Sequence, residues 1–205
     1  MTQGREMNAS APEIRPFRPE HADEVGGIFL RELGRSFVGG LGKEFLKQVY
    51  FPFLLERFGD LQLVSLSSGR VTGFLLGGRA EGVHGAILRS HPAAFLAAAV
   101  KGVVRKPSYL RKIIEVAVIM TIGPRSEDDE ASGAVLFLAV DGSQQRTGAG
   151  TALLDWFETA LRNAGYRRCI VDTMLNSPDA QRFYERRGYQ EIKRGWGRVW
   201  YQKSL

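Results

Sequence analysis

Gln145-Arg146-Thr147-Gly148-Ala149-Gly150 is where residue type and spacing first point to chemistry in this sequence. Glycine has no side chain, so at Gly148 and Gly150 another molecule can come close to the backbone. Directly behind them Ala152, Leu153, Phe157, Ala160 and Leu161 recur at helical spacing, which makes the glycines the entrance of a helix. The first N–H groups of a helix have no intrahelical partners, and the helix dipole adds partial positive charge there. A phosphate or pyrophosphate is the natural occupant. The plainer alternative is that the glycines serve tight packing of helix on strand. Two better-known phosphate loops are excluded. The Walker loop ends Gly-Lys-Ser/Thr, whereas Ala149 follows Gly148, and the dinucleotide fingerprint needs a third glycine where Leu153 stands.

Such a loop needs a strand to deliver it and neighbours to face it. Ala134 to Val140 is an apolar run of strand length, followed by the polar turn Asp141-Gly142-Ser143-Gln144. Gly165 ends the helix, and Cys169 to Thr173 reads as the next strand. Ser177 then offers an N-cap with Pro178 at the first helical position, and Gly188 closes that short helix. Two final strands, Tyr189 to Lys193 and Arg198 to Lys203, flank Gly195-Trp196-Gly197. Upstream, Glu13 to Phe17 reads as a strand and Pro19 starts a helix that Gly34 ends. The glycine-rich linker from Arg35 to Gly40 carries Phe37, read as exposed, either a core filler or a wall of an acceptor site. A second helix runs from about Gly42, and Pro52 should kink or end it. Leu61 to Leu66 and Val71 to Leu76 form a hairpin that stops at Gly77-Gly78. Helices are expected over 92–105 and 108–120, then a solvated acidic turn, Glu127-Asp128-Asp129-Glu130, within 123–132.

A chain of 205 residues suits one domain with a full core, placed at 13–205 behind a loose tail over 1–12. That tail lacks the apolar centre of a signal peptide. The 44% hydrophobic and 24% charged content is that of a globular protein, and no apolar run reaches the ~18 residues of a membrane span. A lone cysteine, Cys169, excludes an intrachain disulfide, reads as a buried structural thiol, and fits a reducing cytoplasm. His21, His84 and His91 are scattered, so no metal is expected. The net charge of +6 is concentrated: between Glu81 and Glu115 there is no acid, yet Arg89, Lys101, Arg105, Lys106, Arg111 and Lys112 all fall there. No nucleic-acid recognition motif accompanies this basic insertion at about 82–120, so no specific nucleic-acid partner is expected.

Gln145-x-x-Gly148-x-Gly150, after a strand ending Leu138-Ala139-Val140, resembles the acyl-CoA-binding motif of the GNAT N-acetyltransferase superfamily. Asn-x-x-x-Ala-x-x-Phe-Tyr-x-x-x-Gly-Tyr, here Asn176 to Tyr189, is similar to the second half of that family's pattern. The motif-bearing resemblance covers about 134–205, while 13–79 match only in their order of elements. It implies an α/β fold, a mixed, strongly twisted sheet of six or seven strands with helices on both faces. The strand of Cys169 would run parallel to the central one and splay from it. The implied co-substrate is acetyl-CoA. Carried over residue by residue, Leu138, Ala139 and Val140 would offer backbone partners to the pantetheine arm. Gln145 opens the pyrophosphate loop, whose N–H groups come from Arg146, Thr147, Gly148, Ala149, Gly150 and Thr151. Asn176 and Phe183 would line the arm near its thiol end, and Tyr184 stands where the family often has its general acid.

The implied activity is transfer of an acetyl group to a primary amine by direct attack in a ternary complex. One departure favours an alternative, a module that holds acyl-CoA without turnover. Many members carry a glutamate as general base at the start of the central strand, where this chain has Ala134. Glu130, Asp129, His91 and Glu32 are the candidate substitutes; otherwise the amine arrives neutral. In this topology the basic insertion should lie over the acceptor end of the cleft. That suits an acceptor bearing phosphate or carboxylate, or an anionic membrane surface holding the substrate. Its plain alternative is two packed helices with solvated cations. The acceptor's identity and the oligomeric state are open at this level.

Overall fold

The runs 73–78 and 134–140 contain no polar side chain, as suits strands buried on both faces. The structure, a computed structural model, describes residues 12–79, 83–111, 113–114 and 132–205, and it puts these runs in the middle of a seven-stranded sheet. The strands are β1 (Glu13–Pro16), β2 (Gln62–Ser67), β3 (Arg70–Arg79), β4 (Ser132–Val140), β5 (Arg168–Met174), β6 (Gln190–Gly195) and β7 (Arg198–Ser204). Their order is β1-β2-β3-β4-β5-β7-β6, and β4 with β5 is the parallel pair among antiparallel neighbours. The mixed α/β sheet with flanking helices therefore stands as expected. Among the described residues no helix is long and apolar enough to cross a membrane.

Alternate residues of a strand face opposite sides, and here each side has its own layer. Val64, Phe74 and Leu76 pack with α1 (Ala22–Leu33), α2 (Phe37–Gly40), α3 (Lys43–Phe45), a π-helical turn (Leu46–Tyr50), α4 (Phe51–Phe58), α5 (Val83–Ser90) and α6 (Pro92–Arg105). Leu63, Leu75 and Val135 pack with α7 (Ala149–Asn163) and α8 (Pro178–Arg186), through Leu153, Leu154, Phe157 and Tyr184.

Three expectations are corrected. β3 does not stop at Gly77-Gly78 but runs through both to Arg79. The glycines are there for close approach. A Cβ on Gly77 would overlap the Phe157 ring of α7, and one on Gly78 would stand 2.9 Å from Phe58 Cε2 of α4. The buried Gln62 side chain completes the ladder, donating to Gly77 O at 2.7 Å and accepting from Gly77 N at 3.2 Å. Gly77→Ala should therefore cost about 1–3 kcal/mol through overpacking. A lower urea midpoint at unchanged slope would register that loss; an unchanged midpoint would contradict it.

Pro52, for its part, does not end its helix. It sits in the first turn of α4, directly behind the π turn, whose last residue is followed by Phe51 bonding back to Leu46 O. The wider turn accommodates the missing N–H and the bulk of the proline ring. In the segment 35–40, Phe37 is buried rather than exposed, as the core-filling alternative has it. Ser36 caps α2 through Gly39 N at 3.1 Å, and buried Phe37 stacks on Tyr109 with centroids 5.9 Å apart. The Tyr109 hydroxyl donates to Phe37 O at 2.5 Å. Helix 92–105 forms as expected, whereas 108–120 is helical at 109–111 and 113–114, its remainder lying outside the described residues. The acidic turn Glu127–Glu130 and all but the last residue of the 1–12 tail also lie outside them.

Candidate active site

β4 and β5 share a ladder for four residue pairs only, Ser132–Val135 with Arg168–Val171. Beyond it β4 pairs with β3 alone, from Phe137 opposite Leu76 to Val140 opposite Gly73. β5 pairs with β7 alone, from Asp172 opposite Trp200 to Met174 opposite Arg198. The parting coincides with a β-bulge in which Leu136 is the extra residue between Val135–Gly77 and Phe137–Leu76. A bulge bends its strand, so the central pair splays where the bulge sits. Among the described residues the edge of β4 from Leu136 to Val140 has no strand partner on the β5 side, and Leu136, Phe137, Leu138 and Val140 are half-buried there while Ala139 is buried.

At the end of that edge the chain turns through a tightly tied loop. Asp141 N donates to Thr72 O at 2.8 Å. The Asp141 carboxylate accepts from Ser143 N at 3.1 Å and Ser143 Oγ at 2.7 Å, and pairs with Arg31 at the end of α1. Glu32 Oε1 accepts from Gly142 N at 3.1 Å, and its Oε2 lies 3.5 Å from Gln145 Nε2. Gln145 also reaches Val140 O at 3.4 Å, so its amide shapes the base of the loop. Thr147 Oγ1 donates to Gln144 O at 2.7 Å. Arg146 and Gly148 both take positive φ, +65° and +88°, which turns the loop into the start of α7. No side chain caps α7, and the N–H groups of Ala149, Gly150 and Thr151 have no partner among the described residues. A Cβ on Gly150 would lie 3.7 Å from Val140 Cγ2 and 4.0 Å from Phe183 Cζ. Free edge, open helix start and α8 thus converge on one place.

The Ser143 hydroxyl, then Arg31, then Ser143 N hold the Asp141 carboxyl at about 2. A depressed folded pKa contributes stability above the ordinary aspartate value, and this is lost as pH falls through the folded value. The stability gap between wild type and Asp141→Asn should therefore be constant above about pH 4 and close toward pH 2. A gap that persists at the acid end of a urea-unfolding series would show that the carboxylate's charge is not what ties the loop.

On the other wall, β5 leads through Leu175, whose N donates to Gly197 O at 2.7 Å, to exposed Asn176. Ser177 occupies the N-cap position of α8 but makes no side-chain cap, contrary to expectation. The turn is held instead by Gln181, whose Nε2 donates to Met174 O at 3.1 Å and Leu175 O at 2.9 Å. Phe183 is half-buried beside Gly150, and Tyr184 is buried among Phe183, Tyr189 and Tyr201, at ring distances of 5.1, 5.5 and 6.5 Å. The Tyr184 hydroxyl makes no hydrogen bond among the described residues. Burial, with Cys169 and Asp172 nearby, pushes its pKa well above the ordinary phenol value, so it is a held donor at neutral pH.

A model of the acetyltransferase (GNAT) family matches residues 56–189, a stretch that takes in the splay, the loop and Tyr184. The chain belongs to that family. Solved GNAT-fold structures agree over nearly the whole length. Ard1 from Thermoplasma volcanium superposes with TM-score 0.62 at 16% identity, covering 95% of this chain and 98% of that one. PaiA N-acetyltransferase from Thermoplasma acidophilum, in complex with coenzyme A, gives 0.60 at 11%, with 95% and 99% covered. Ribosomal-protein-alanine N-acetyltransferase from Brucella melitensis gives 0.60 at 14%, with 94% and 99% covered. At such identities the likeness is one of fold. No curated protein matches the chain.

Within this GNAT fold, Val140, Gly150 and Phe183 meet, and Leu138 and Ala139 lie on the free edge leading to them. Asn176 is in the loop that opens the facing wall. Ala134 is buried on β4 between Gly78 and Ile170, in the paired half of the strand, before the splay. Among the candidate bases, Glu32 is bound to the loop backbone, and His91 is exposed at the start of α6 with its ring 6.3 Å from Phe53. Asp129 and Glu130 lie outside the described residues. Sequence reasoning missed Arg31 and Glu32 as loop ties, because 110 residues separate them from Asp141 and Gly142 respectively and no local pattern announces the contact.

Proposed function

We propose that the chain is an N-acetyltransferase that moves an acetyl group from acetyl-CoA to a primary amine by direct attack in a ternary complex. The observation that carries this is the convergence of a free β4 edge, an uncapped α7 and the α8 wall at one cleft. The residues fit the cofactor. Leu138, Ala139 and Val140 offer extended backbone to an amide-bearing pantetheine arm. The N–H groups from Arg146 to Thr151 suit a pyrophosphate, with space at Gly150 that a side chain would fill. Asn176 and Phe183 line the arm, and Tyr184 stands at its thiol end.

When bound, acetyl-CoA supplies a thioester carbonyl open to a neutral amine, and a thiolate as leaving group. A backbone N–H at the splay donates to the carbonyl oxygen as charge grows there. The Tyr184 hydroxyl, kept protonated by burial, donates a hydrogen bond to the departing sulfur as the C–N bond forms and the C–S bond breaks. The proton that the attacking nitrogen sheds on becoming an amide passes through solvent to the released thiolate. With Ala134 where an acid often stands, the amine is taken to arrive neutral, Asp129 and Glu130 lying outside the described residues. Residues 13–205 act as one catalytic domain with a basic helical insertion at about 82–120. The lone buried cysteine accords with a reducing cytoplasm as its compartment.

Ala134 also favours a second reading, an acyl-CoA-binding module without turnover. Calorimetry with CoA, followed by thiol release from acetyl-CoA across a panel of primary amines, separates the two. Amine-dependent release supports the transferase, binding without release supports the module, and neither binding nor release overturns both.

A further inference from the structure

α6 packs inward through Phe95, Ala99 and Gly102, with the Phe95 ring 5.9 Å from those of Phe37 and Phe45. Its other side is apolar as well. Leu96, Val100 and Val104 follow at intervals of four residues and are 64%, 54% and 77% exposed. At 3.6 residues per turn these three span an arc of about 80° that includes Ala93, Ala97 borders it beside Val104, and Lys101 and Arg105 come next around the helix. Leu88 of α5, and Leu110 and Ile114 beyond α6, are exposed too, alongside Arg89, Lys106 and Arg111. No acid interrupts the sequence between Glu81 and Glu115.

An exposed apolar stripe of this length calls for a partner, and the charge around it selects one. A second copy of this chain would set cations against cations. A nucleic acid would satisfy the cations and leave the stripe in water. A bilayer with anionic headgroups satisfies both, because the stripe enters the acyl boundary while lysine and arginine reach the phosphates. We propose that the α5–α6 surface docks on an anionic membrane face, with Leu96, Val100 and Val104 inserted and Lys101, Arg105 and Lys106 at the headgroups. This surface is independent of the acetyl-transfer reading.

The test is sedimentation of the full chain with vesicles of phosphatidylcholine containing about one-third phosphatidylglycerol, against vesicles of phosphatidylcholine alone. The wild type should partition into the anionic vesicles about tenfold better or more, and less so at high salt. Leu96→Ser with Val100→Ser and Val104→Ser should lose about tenfold, and Lys101→Gln with Arg105→Gln and Lys106→Gln several-fold. Val104→Ser alone, at the most exposed position, keeps the test if the apolar triple variant fails to fold. Apolar variants that bind as wild type does, or a wild type indifferent to lipid charge, would overturn the proposal. So would light scattering that finds a dimer which the apolar substitutions dissociate, with no vesicle binding by either form.

Discussion

Gly150→Val is expected to weaken coenzyme A binding at least tenfold, about 1.4 kcal/mol, in a protein that still folds. Gly150 is in the first turn of α7 with ordinary helical backbone, and a Cβ there makes only van der Waals contact with Val140 and Phe183. Valine adds two methyl groups beyond that Cβ, where free edge, helix start and α8 meet and where, on the proposed reading, a pyrophosphate would approach the N–H groups. Gly150→Ala is the graded control and should cost less. Gly148 is a poorer test, although its glycine is as prominent in the sequence. Among the described residues nothing lies within 4 Å of a Cβ there, but φ is +88°, so any side chain strains the backbone before a ligand is considered. Stability of Gly148→Val should therefore fall with affinity, whereas in Gly150→Val affinity should fall alone. Calorimetry finding unchanged affinity in folded Gly150→Val would remove the loop from the binding site.

Much of the local geometry at this candidate site was legible because its signals are local. A strand, a turn rich in small polar residues and a glycine at positive φ follow one another within about twenty residues, and each is set by its own steric preferences. The same holds for Pro178 and Gly188 at the two ends of α8. What stayed hidden depends on partners distant in sequence. Gly77 and Gly78 look like a strand breaker until Phe157 and Phe58 are seen to need their missing side chains. Phe37 looks exposed in a glycine-rich linker until Tyr109 stacks on it from 72 residues away. The bulge at Leu136 leaves no mark in a uniformly apolar run, yet it coincides with the point where the central strands part. Ser177 has the residue type of a cap, but Gln181, nearby on α8, holds the turn. Composition located the cations of the insertion, but only packing separated the buried face of α6 from the exposed one.

Tyr184→Phe should lower turnover roughly tenfold to a hundredfold while barely changing stability or coenzyme A affinity. The substitution keeps a ring that packs against Phe183, Tyr189 and Tyr201 and removes one hydroxyl. Because that hydroxyl has no hydrogen-bond partner among the described residues, its loss leaves no polar group orphaned, and stability has little reason to fall. A group whose only use is in the transition state shows itself as a drop in kcat without a matching change in binding. The raised pKa adds a second, independent reading. With the phenol held protonated well above neutrality, Tyr184 does not titrate between about pH 6 and 9, so the wild-type-to-variant ratio of turnover should stay flat there. Any rise of turnover with pH in that range then belongs to the amine shedding its proton, and the variant should show the same rise. A ratio that changes with pH would mean that the hydroxyl ionises in the working range, against the burial that holds it. Equal turnover in the two proteins, where single-turnover kinetics confirm that chemistry limits, would reduce Tyr184 to a packing residue.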